Sequence, residues 1–310
     1  MRVFVTGASG WIGSALVPEL IGAGHEVVGL ARSDASASAL TKAGADTVSG
    51  TLDDLDVLRE AAKASDGVIH LAFKHDLAFS GGFQDAADAD RRTVEVLGDS
   101  LAGSGRPLLI ASGLIGLATG RPSTEDDGRT PEELSALPSG PRTRMGTAQV
   151  ALALADRNVR SSVVRLPPTV HGDGDNGFMA ALIGIARDKG VSGYIGDGTQ
   201  RWPATHRDDV ARLFRLALEG APAGSVVHAS AEDGVPIRSV AEVIGRHLGV
   251  PTRSVPVEEA PEHFTWLSGF LGLDSPASSE RTRALLAWNP TGPGLIEDLD
   301  MGHYFRNGGQ

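Results

Sequence analysis

Three glycines, spaced three residues apart, follow an apolar run at the start of the chain, in MRVFVTGASGWIG. The run Met1–Thr6 predicts a buried strand, and the apolar spacing after it predicts a helix over Gly13–Gly22. Gly7 permits a tight turn, Gly10 lets backbone approach a pyrophosphate, and Gly13 lets the helix pack closely on the sheet. A helix N-terminus behind such a loop favours phosphate. The stretch therefore predicts a dinucleotide site, with an ordinary glycine turn as the alternative.

Apolar runs and helical patterns continue to alternate through the first half of the chain. Further strands are predicted at 26–31, 47–49, 67–73, 107–112 and 160–166, and further helices at 54–64, 86–103 and 143–157. Strands that alternate with helices in this way form parallel sheets through right-handed crossovers. The fold class predicted is α/β, a doubly wound parallel sheet of the Rossmann type.

Past residue 166 the pattern changes to the turn-rich stretches HGDGDNG and GDGTQRWP. They indicate excursions from the sheet into a smaller C-terminal substrate lobe. We assign residues 1–170 and 203–230 to the dinucleotide-binding domain, and residues 171–202 and 231–310 to the substrate lobe. The stretch Ser278–Trp288 predicts a last capped helix. The acidic run STEDDG at 123–128 predicts a solvated loop, and HGDGDNG lacks the remainder of a calcium-binding loop.

Composition narrows the functions that the chain can have. A formal net charge of −11 over 310 residues argues against nucleic acid and anionic membrane surfaces as partners. The chain contains no cysteine, which excludes disulfides and thiolate chemistry, and no metal site is predicted. A signal peptide and an apolar run long enough to span a membrane are both missing from the pattern, which predicts a cytoplasmic protein. The expected partner is a small-molecule substrate, and a homodimer is left open.

Six stretches of the chain resemble motifs of the extended and atypical short-chain dehydrogenase/reductases. In sequence order they are TGASGWIG, GVIHLAF, LLIASG, VVRLPPTVHG, HRDDVARLF and LLAWNPTGPGLIEDL. That family contains nucleotide-sugar epimerases, dehydratases and carbonyl reductases, and the resemblance covers nearly the whole chain. It implies a nicotinamide cofactor. The cofactor-binding residues that it implies are Thr6, Gly7, Ser9, Gly10, Trp11, Ile12, Gly13, Arg32, Ser33, Thr51, Leu52, Leu71, Ala72, Phe73, Lys74, Arg144 and Pro167.

The residues after the second strand distinguish between the two nicotinamide cofactors. NAD-selective proteins usually place an acid there, whereas this chain has Arg32 and Ser33. A guanidinium can bind the 2′-phosphate of NADP(H), so NADP(H) is predicted. The alternative is that Arg32 is a solvated surface charge. Where the family usually has Asp-Leu beside the adenine, this chain has Thr51 and Leu52, and the following Asp53 and Asp54 are expected to cap the next helix.

The chain departs from the family at its proton donor. The resemblance implies a tyrosine four residues before a lysine, but neither Tyr194 nor Tyr304 has a lysine at that spacing. Counting back from Arg165 by the family's spacing places Arg144 at the lysine position and Gly140 at the tyrosine position. Arg144 can bind the nicotinamide ribose but cannot exchange a proton near neutrality.

Another group must then donate the proton if the chain is catalytic. The candidate catalytic residues are Ser112, Lys74, His75, Arg144, His171 and His206, and the candidate substrate-binding residues are Ser112, Gly113, Arg201, Trp202 and His206. Each has a plain structural alternative, such as a solvated lysine, a histidine satisfied by backbone, or an Arg–Trp pair that packs the lobe. His70 and His25 are assigned structural roles.

Two functions from different classes remain open. One is an NADP(H)-dependent oxidoreductase that reduces a carbonyl or related group of a small molecule with a non-standard proton donor. The other is a catalytically inactive NADP-binding protein that reports cofactor occupancy to a partner. A nucleotide-sugar epimerase or dehydratase is the third choice, because those reactions also depend on the tyrosine. We favour the enzyme, on the analogy of a second lobe that forms a substrate pocket.

Overall fold

The computed structural model describes residues 1–118, 120–128, 135 and 139–306. The described strands are β1 (Arg2–Thr6), β2 (Glu26–Ala31), β3 (Asp46–Ser49), β4 (Gly67–His70), β5 (Pro107–Gly113), β6 (Arg160–Leu166), β7 (Thr169–His171), β8 (Ser192–Ile195), β9 (Arg201–His206), β10 (Ser225–His228), β11 (Glu232–Pro236) and β12 (Thr252–Val255). The longer described helices are α1 (Gly13–Gly22), α2 (Asp34–Lys42), α3 (Leu55–Lys63), α4 (Phe83–Leu101), α5 (Ser139–Ala153), α6 (Phe178–Lys189), α7 (Arg207–Gly220) and α8 (Ile237–Leu248). Shorter ones follow as α9 (Ala260–Phe264), α10 (Ser268–Leu271), α11 (Glu280–Leu286) and α12 (Leu295–Asp300).

Seven parallel strands form the main sheet, in the order β10-β6-β5-β4-β1-β2-β3. The strand order reverses direction at β1, between β4 and β2, so the loops that follow these strands diverge there and open a crevice at their carboxyl ends. The prediction of a doubly wound α/β fold is confirmed. The central strands β1 and β4 are buried on both faces, which explains the continuous apolar residues Val3–Val5 and Val68–Ile69.

Helices cover both faces of this sheet. Helices α1 and α7 pack on one face through a cluster that includes Leu16, Leu20 and Phe214. Helices α3, α4 and α5 pack on the other face around Leu58 and Leu97. Burial of large apolar side chains on this scale is the main term that favours the folded state. No helix among the described residues is both long enough and apolar enough to span a membrane.

The remaining elements form a second unit, which contains a three-stranded sheet, β11-β9-β7, and a two-stranded sheet, β12-β8. This second unit has its own hydrophobic cluster, called here the second hydrophobic cluster. Strands β7 and β9 pair in parallel, whereas β9 and β11 pair antiparallel. Helices α6 and α8 pack beside β8. The residue boundaries assigned to the two lobes stay a prediction.

Several predicted elements differ from those observed. Helix α2 was missed, because its surface-facing alanines and serines give little apolar periodicity. The strand predicted at 67–73 ends at His70, since the chain leaves the sheet there. The helix predicted at Ser278–Trp288 is shorter and is not the last one, because α12 follows it.

The acidic run at 123–128 is not a solvated loop as a whole. Glu125 is buried and accepts hydrogen bonds from the backbone N–H and the hydroxyl of Thr282, at 2.9 and 2.7 Å. Asp127 is buried as well, and hydrogen bonds from Arg121 hold the pKa of its carboxyl down, at about 2. The prediction was wrong because both carboxylates are hydrogen-bonded, which offsets the cost of their burial, and the partner of Glu125 is distant in the sequence.

Candidate active site

The glycine-rich loop has no side chain at its tightest points. Gly7 has φ +70°, and a Cβ on it would lie 2.8 Å from the backbone nitrogen of Ala72, beyond the end of β4. A Cβ on Gly13 would lie 2.2 Å from the carbonyl oxygen of Gly7, to which Gly10 donates its N–H at 3.0 Å. Since α1 begins at Gly13, the loop lies where unpaired helix N–H groups favour an anion. This cradle fits the pyrophosphate of a dinucleotide.

The other predicted residues of the loop surround this cradle. Ser9 is exposed, and Trp11 and Ile12 are half-buried. The Trp11 indole donates its N–H to the carbonyl oxygen of Val170 at 2.8 Å, and the Arg207 guanidinium lies 4.3 Å from the centre of its ring. These contacts join the loop to β7 and to the first residue of α7.

Arg32 lies immediately after β2, and its side chain is 79% exposed, with Asp76 at 3.9 Å. Ser33 is the N-cap of α2, and its hydroxyl accepts the N–H of Ser36 at 3.2 Å. A free guanidinium therefore stands beside a helix N-terminus, which is a suitable environment for a phosphate.

Two predictions near the adenine side need correction. Thr51 donates its N–H and its hydroxyl to Asp54, at 2.7 and 2.8 Å, so Asp54 makes no side-chain cap to α3. Lys74 is not a desolvated, unpaired ammonium: both carboxylate oxygens of Asp53 lie 2.7 Å from its nitrogen. Lys74 is thereby neutralised, and Asp53 serves as its counter-ion instead of capping the helix.

The remaining predicted cofactor contacts lie after the strands. Leu71, Ala72 and Phe73 are half-buried, and Leu52 and Pro167 are buried.

Arg144 lies on α5 and approaches the end of β4 from the side. Its guanidinium lies 3.9 Å from the centre of the Phe73 ring, and its Nη1 lies 4.0 Å from Oδ2 of Asp90. Burial lowers the pKa of Arg144, and the charge of Asp90 opposes that shift. Nη1 is buried without a hydrogen-bond partner among the described residues. A cation thus stands beside the end of β4, and one of its nitrogens makes no hydrogen bond to the described residues.

Asp90 connects this cation to the glycine-rich loop. Nε2 of His70 lies 3.0 Å from Asp90, and Nδ1 of the same ring lies 2.6 Å from the hydroxyl of Thr6. All three side chains are buried. The sequence analysis assigned His70 a structural role and missed Asp90. A signal was available, because Asp90 falls at the helical spacing of Ala86, Val94 and Leu97, which are buried on the inner face of α4.

Ser112 and His75 border the same site. Ser112 is buried on β5, and a Cβ built on the neighbouring Gly113 would meet no described atom within 4 Å, so the strand end borders open space. The His75 ring packs edge-on against Phe73, with 5.1 Å between centroids. Partial burial lowers the pKa of His75, and the nearby positive charge of Arg144 lowers it further. Both effects favour the neutral form of His75 over the imidazolium.

The two other candidate histidines lie together in a different cluster. Their rings are 5.6 Å apart, and His171 is fully buried, with Nδ1 2.9 Å from Asp298. His206 is the N-cap of α7, because its Nδ1 accepts the N–H of Asp208 at 3.3 Å. Burial lowers the pKa of His206. These partners give both histidines structural roles in joining β7, β9 and α12.

Neither tyrosine has the surroundings of the family's proton donor. Tyr194 lies on β8, as predicted, and the Arg238 guanidinium lies 5.5 Å from its ring centre. The Tyr304 hydroxyl donates to Asp175 at 2.8 Å and accepts the N–H of Gly172 at 3.2 Å. Burial and the charge of Asp175 raise the pKa of Tyr304, which disfavours a phenolate.

Arg201 and Trp202 differ from the expected substrate contacts. Arg201 makes two hydrogen bonds to Asp274, from Nε at 3.0 Å and from Nη2 at 2.8 Å, which neutralise it. Trp202 is fully buried and packs in the second hydrophobic cluster. Alternate residues of a strand point to opposite faces, so Trp202 faces inward where Arg201 faces outward.

A doubly wound sheet with a phosphate-sized cradle after β1 and a cation beside β4 defines a dinucleotide-dependent enzyme of the Rossmann class. The chain belongs to the NAD dependent epimerase/dehydratase family, whose profile matches residues 3–229. It is an NAD(P)-dependent enzyme of the epimerase, dehydratase and reductase type. The resemblance found in the sequence motifs is confirmed.

Three individual proteins illustrate what the chain is similar to. An uncharacterized protein of Schizosaccharomyces pombe is 47% identical over 305 residues, which are 98% of this chain and 100% of that protein. A 4-hydroxy-2-methyl-3-oxo-4-farnesyl-3,4-dihydroquinoline-1-oxide ketoreductase of Stigmatella aurantiaca is 29% identical over 76% of this chain and 70% of its own length. The structure of DesIV, a dTDP-glucose 4,6-dehydratase from Streptomyces venezuelae with NAD bound, has the same fold, with a TM-score of 0.77, 19% identity and coverage of 99% and 97%.

Proposed function

We propose that the chain is an NADP(H)-dependent reductase of a small carbonyl compound, in which Arg144 binds the carbonyl oxygen and His75 supplies the proton. The observation that carries the proposal is the buried Nη1 of Arg144, which has no hydrogen-bond partner among the described residues. A buried donor without a partner costs free energy, so a ligand oxygen at this position would be favoured.

Each residue then has a separate task. The cofactor, when bound, supplies the hydride that reduces the carbonyl carbon. Arg144 keeps its proton near neutrality, so it stabilises negative charge on the oxygen instead of protonating it. His75, as the imidazolium, transfers one proton to that oxygen and becomes neutral, which completes the alcohol. We expect Ser112, on the neighbouring strand β5, to donate a hydrogen bond to the same oxygen.

Arg32 supports the choice of NADP(H). Its exposed guanidinium after β2 and the N-terminus of α2 behind it together suit a 2′-phosphate. The similarity to a ketoreductase supports a carbonyl substrate. The paired state of Arg201 argues against an anionic nucleotide sugar at that position.

The test is the pH dependence of kcat/KM for NADPH oxidation with a panel of aldehydes and ketones. Only the imidazolium form of His75 can donate a proton. Because the pKa of His75 is lowered, the fraction in this form increases as the pH is lowered below neutrality. We therefore expect kcat/KM to increase as the pH is lowered from 8 toward 6. His75→Gln should lower the rate by about 10² to 10⁴ and flatten this dependence. His25→Gln, at a histidine paired with Glu219, is the matched control.

Arg144→Met should lower kcat/KM by about 10² to 10³, the range for loss of one group that stabilises an oxyanion. A His75→Gln variant with an unchanged pH profile would exclude His75 as the donor. Tight NADPH binding without turnover on any substrate in the panel would instead support the cofactor-sensing function.

A further inference from the structure

A series of aromatic contacts extends outward from the candidate active site. It begins at Phe73, which packs under Arg144, and passes to His75 at 5.1 Å between ring centroids. His75 stacks on Phe79 at 5.9 Å with an interplanar angle of 20°. Phe79 then contacts Trp266 at 5.0 Å. The rings of Phe79 and Trp266 are thereby connected to Arg144 through Phe73 and His75.

The last two rings of this series are exposed although they contact each other. Phe79 is 53% exposed and Trp266 is 47% exposed. They come from distant parts of the chain, the π-helical turn Ala78–Gly82 after β4 and the 3₁₀ turn Thr265–Leu267 in the second unit. Trp266 is held from behind by Phe178 at 5.4 Å and by Phe270 at 6.2 Å. Paired exposed aromatics on a soluble protein mark a binding surface.

The backbone beside Trp266 is strained. Thr265 has φ +53° and ψ −127°, a conformation that a β-branched residue rarely adopts. Such strain persists where the surrounding structure holds it, and it concentrates at ligand clamps and active sites. The opposing segment turns through Gly81, with φ +99°, which brings Phe79 toward Trp266. The segment that carries Trp266 is thus held at a conformational cost, whereas Gly81 adopts its positive φ without one.

We infer that Phe79 and Trp266 form an aromatic clamp, which binds the planar aromatic part of a conjugated carbonyl substrate. The inference rests on the proposed function, because it places the carbonyl end of that substrate at Arg144. About half of each ring is exposed, so an aromatic ring can stack on the outer surface of the pair without separating the two side chains.

The test compares substrates and ligands that differ in aromaticity. Reduction of 2-naphthaldehyde is measured beside reduction of decanal and cyclohexanecarbaldehyde, in the wild type, Trp266→Ala, Phe79→Ala and Trp266→Phe. Binding of 2-naphthalenemethanol and cyclohexylmethanol is measured by calorimetry, which needs no turnover. Leu285→Ala is the control, because Leu285 is 48% exposed on α11 and lies in another surface groove.

We expect Trp266→Ala and Phe79→Ala each to raise KM for 2-naphthaldehyde, and to weaken binding of 2-naphthalenemethanol, by about tenfold. The alkyl compounds should change by less than about twofold, and Trp266→Phe should retain most of the affinity. Equal losses for aryl and alkyl compounds, or unchanged naphthyl binding in both alanine variants, would overturn the clamp. Turnover of alkyl carbonyls without any aryl preference would overturn the clamp and leave the proposed function standing. Selective loss of naphthyl binding in a protein without reductase activity would refute the proposed function alone.

Discussion

Replacement of Asp90 by asparagine tests whether Arg144 is held by a charge or only by packing. The side chain of Asp90 is buried, and its Oδ2 lies 4.0 Å from Nη1 of Arg144, whose side chain is 21% exposed. Asparagine keeps an oxygen that can accept from His70 at the observed 3.0 Å, so the substitution removes mainly the charge. Two unit charges at this separation attract by about 4 kcal/mol at an effective dielectric constant of 20. Discounted for the exposed part of Arg144, the expected loss is about 2 kcal/mol of the free energy of unfolding.

The assay is urea denaturation of a double-mutant cycle made of Asp90→Asn, Arg144→Met and the double variant. The coupling free energy between the two sites should be about 1 to 3 kcal/mol. The exposed pair of Arg238 and Glu242, at 2.9 Å on α8, provides the matched cycle and should couple by about 0.5 kcal/mol or less. A coupling at Asp90 and Arg144 no larger than that of the control pair would refute the electrostatic account.

Four further outcomes are expected. Gly10→Val should abolish NADPH binding in a fluorescence titration. The protein should stay folded, because a Cβ at this position meets only the Gly7 oxygen, at 3.2 Å, within the protein. Unchanged affinity would refute the phosphate-binding role of the loop. Arg32→Glu should weaken NADPH binding more than NADH binding by calorimetry, and equal binding of both cofactors by the wild type would make Arg32 a surface charge only. Phe replacing either Tyr194 or Tyr304 should leave kcat largely unchanged, and a tenfold loss in one variant would identify the missing donor. Thr265→Gly should leave the free energy of unfolding within about 0.5 kcal/mol of the wild type, because the relief of strain offsets the larger unfolded-state entropy of glycine. A loss above about 1 kcal/mol in urea denaturation would contradict the strain.

The helices and strands that position the cofactor could be predicted from the sequence because their signals are local. The apolar run before Gly7 and the periodicity of α1 need no distant contact to be recognised, and the observed bounds of α1 and β2 match the predicted ones. Helix α2 was missed because a helix stabilised by its Ser33 cap and one buried leucine carries little periodic signal. The burial of Glu125 was missed because its partner, Thr282, lies 157 residues away in the sequence.

In the candidate site, too, the features that depend on local sequence could be predicted, and those that depend on distant contacts could not. By itself the sequence determined the family and the glycine-rich cradle, since these depend on residue identity and spacing. Only the tertiary structure decided that Asp90 and Phe73 contact Arg144, that Asp53 neutralises Lys74, and that His171 and His206 pack on each other beside Asp298. Hydrogen bonds, ion pairs and ring contacts act over a few ångströms, and the chain segments that make them become neighbours only when the sheet and the second unit have assembled.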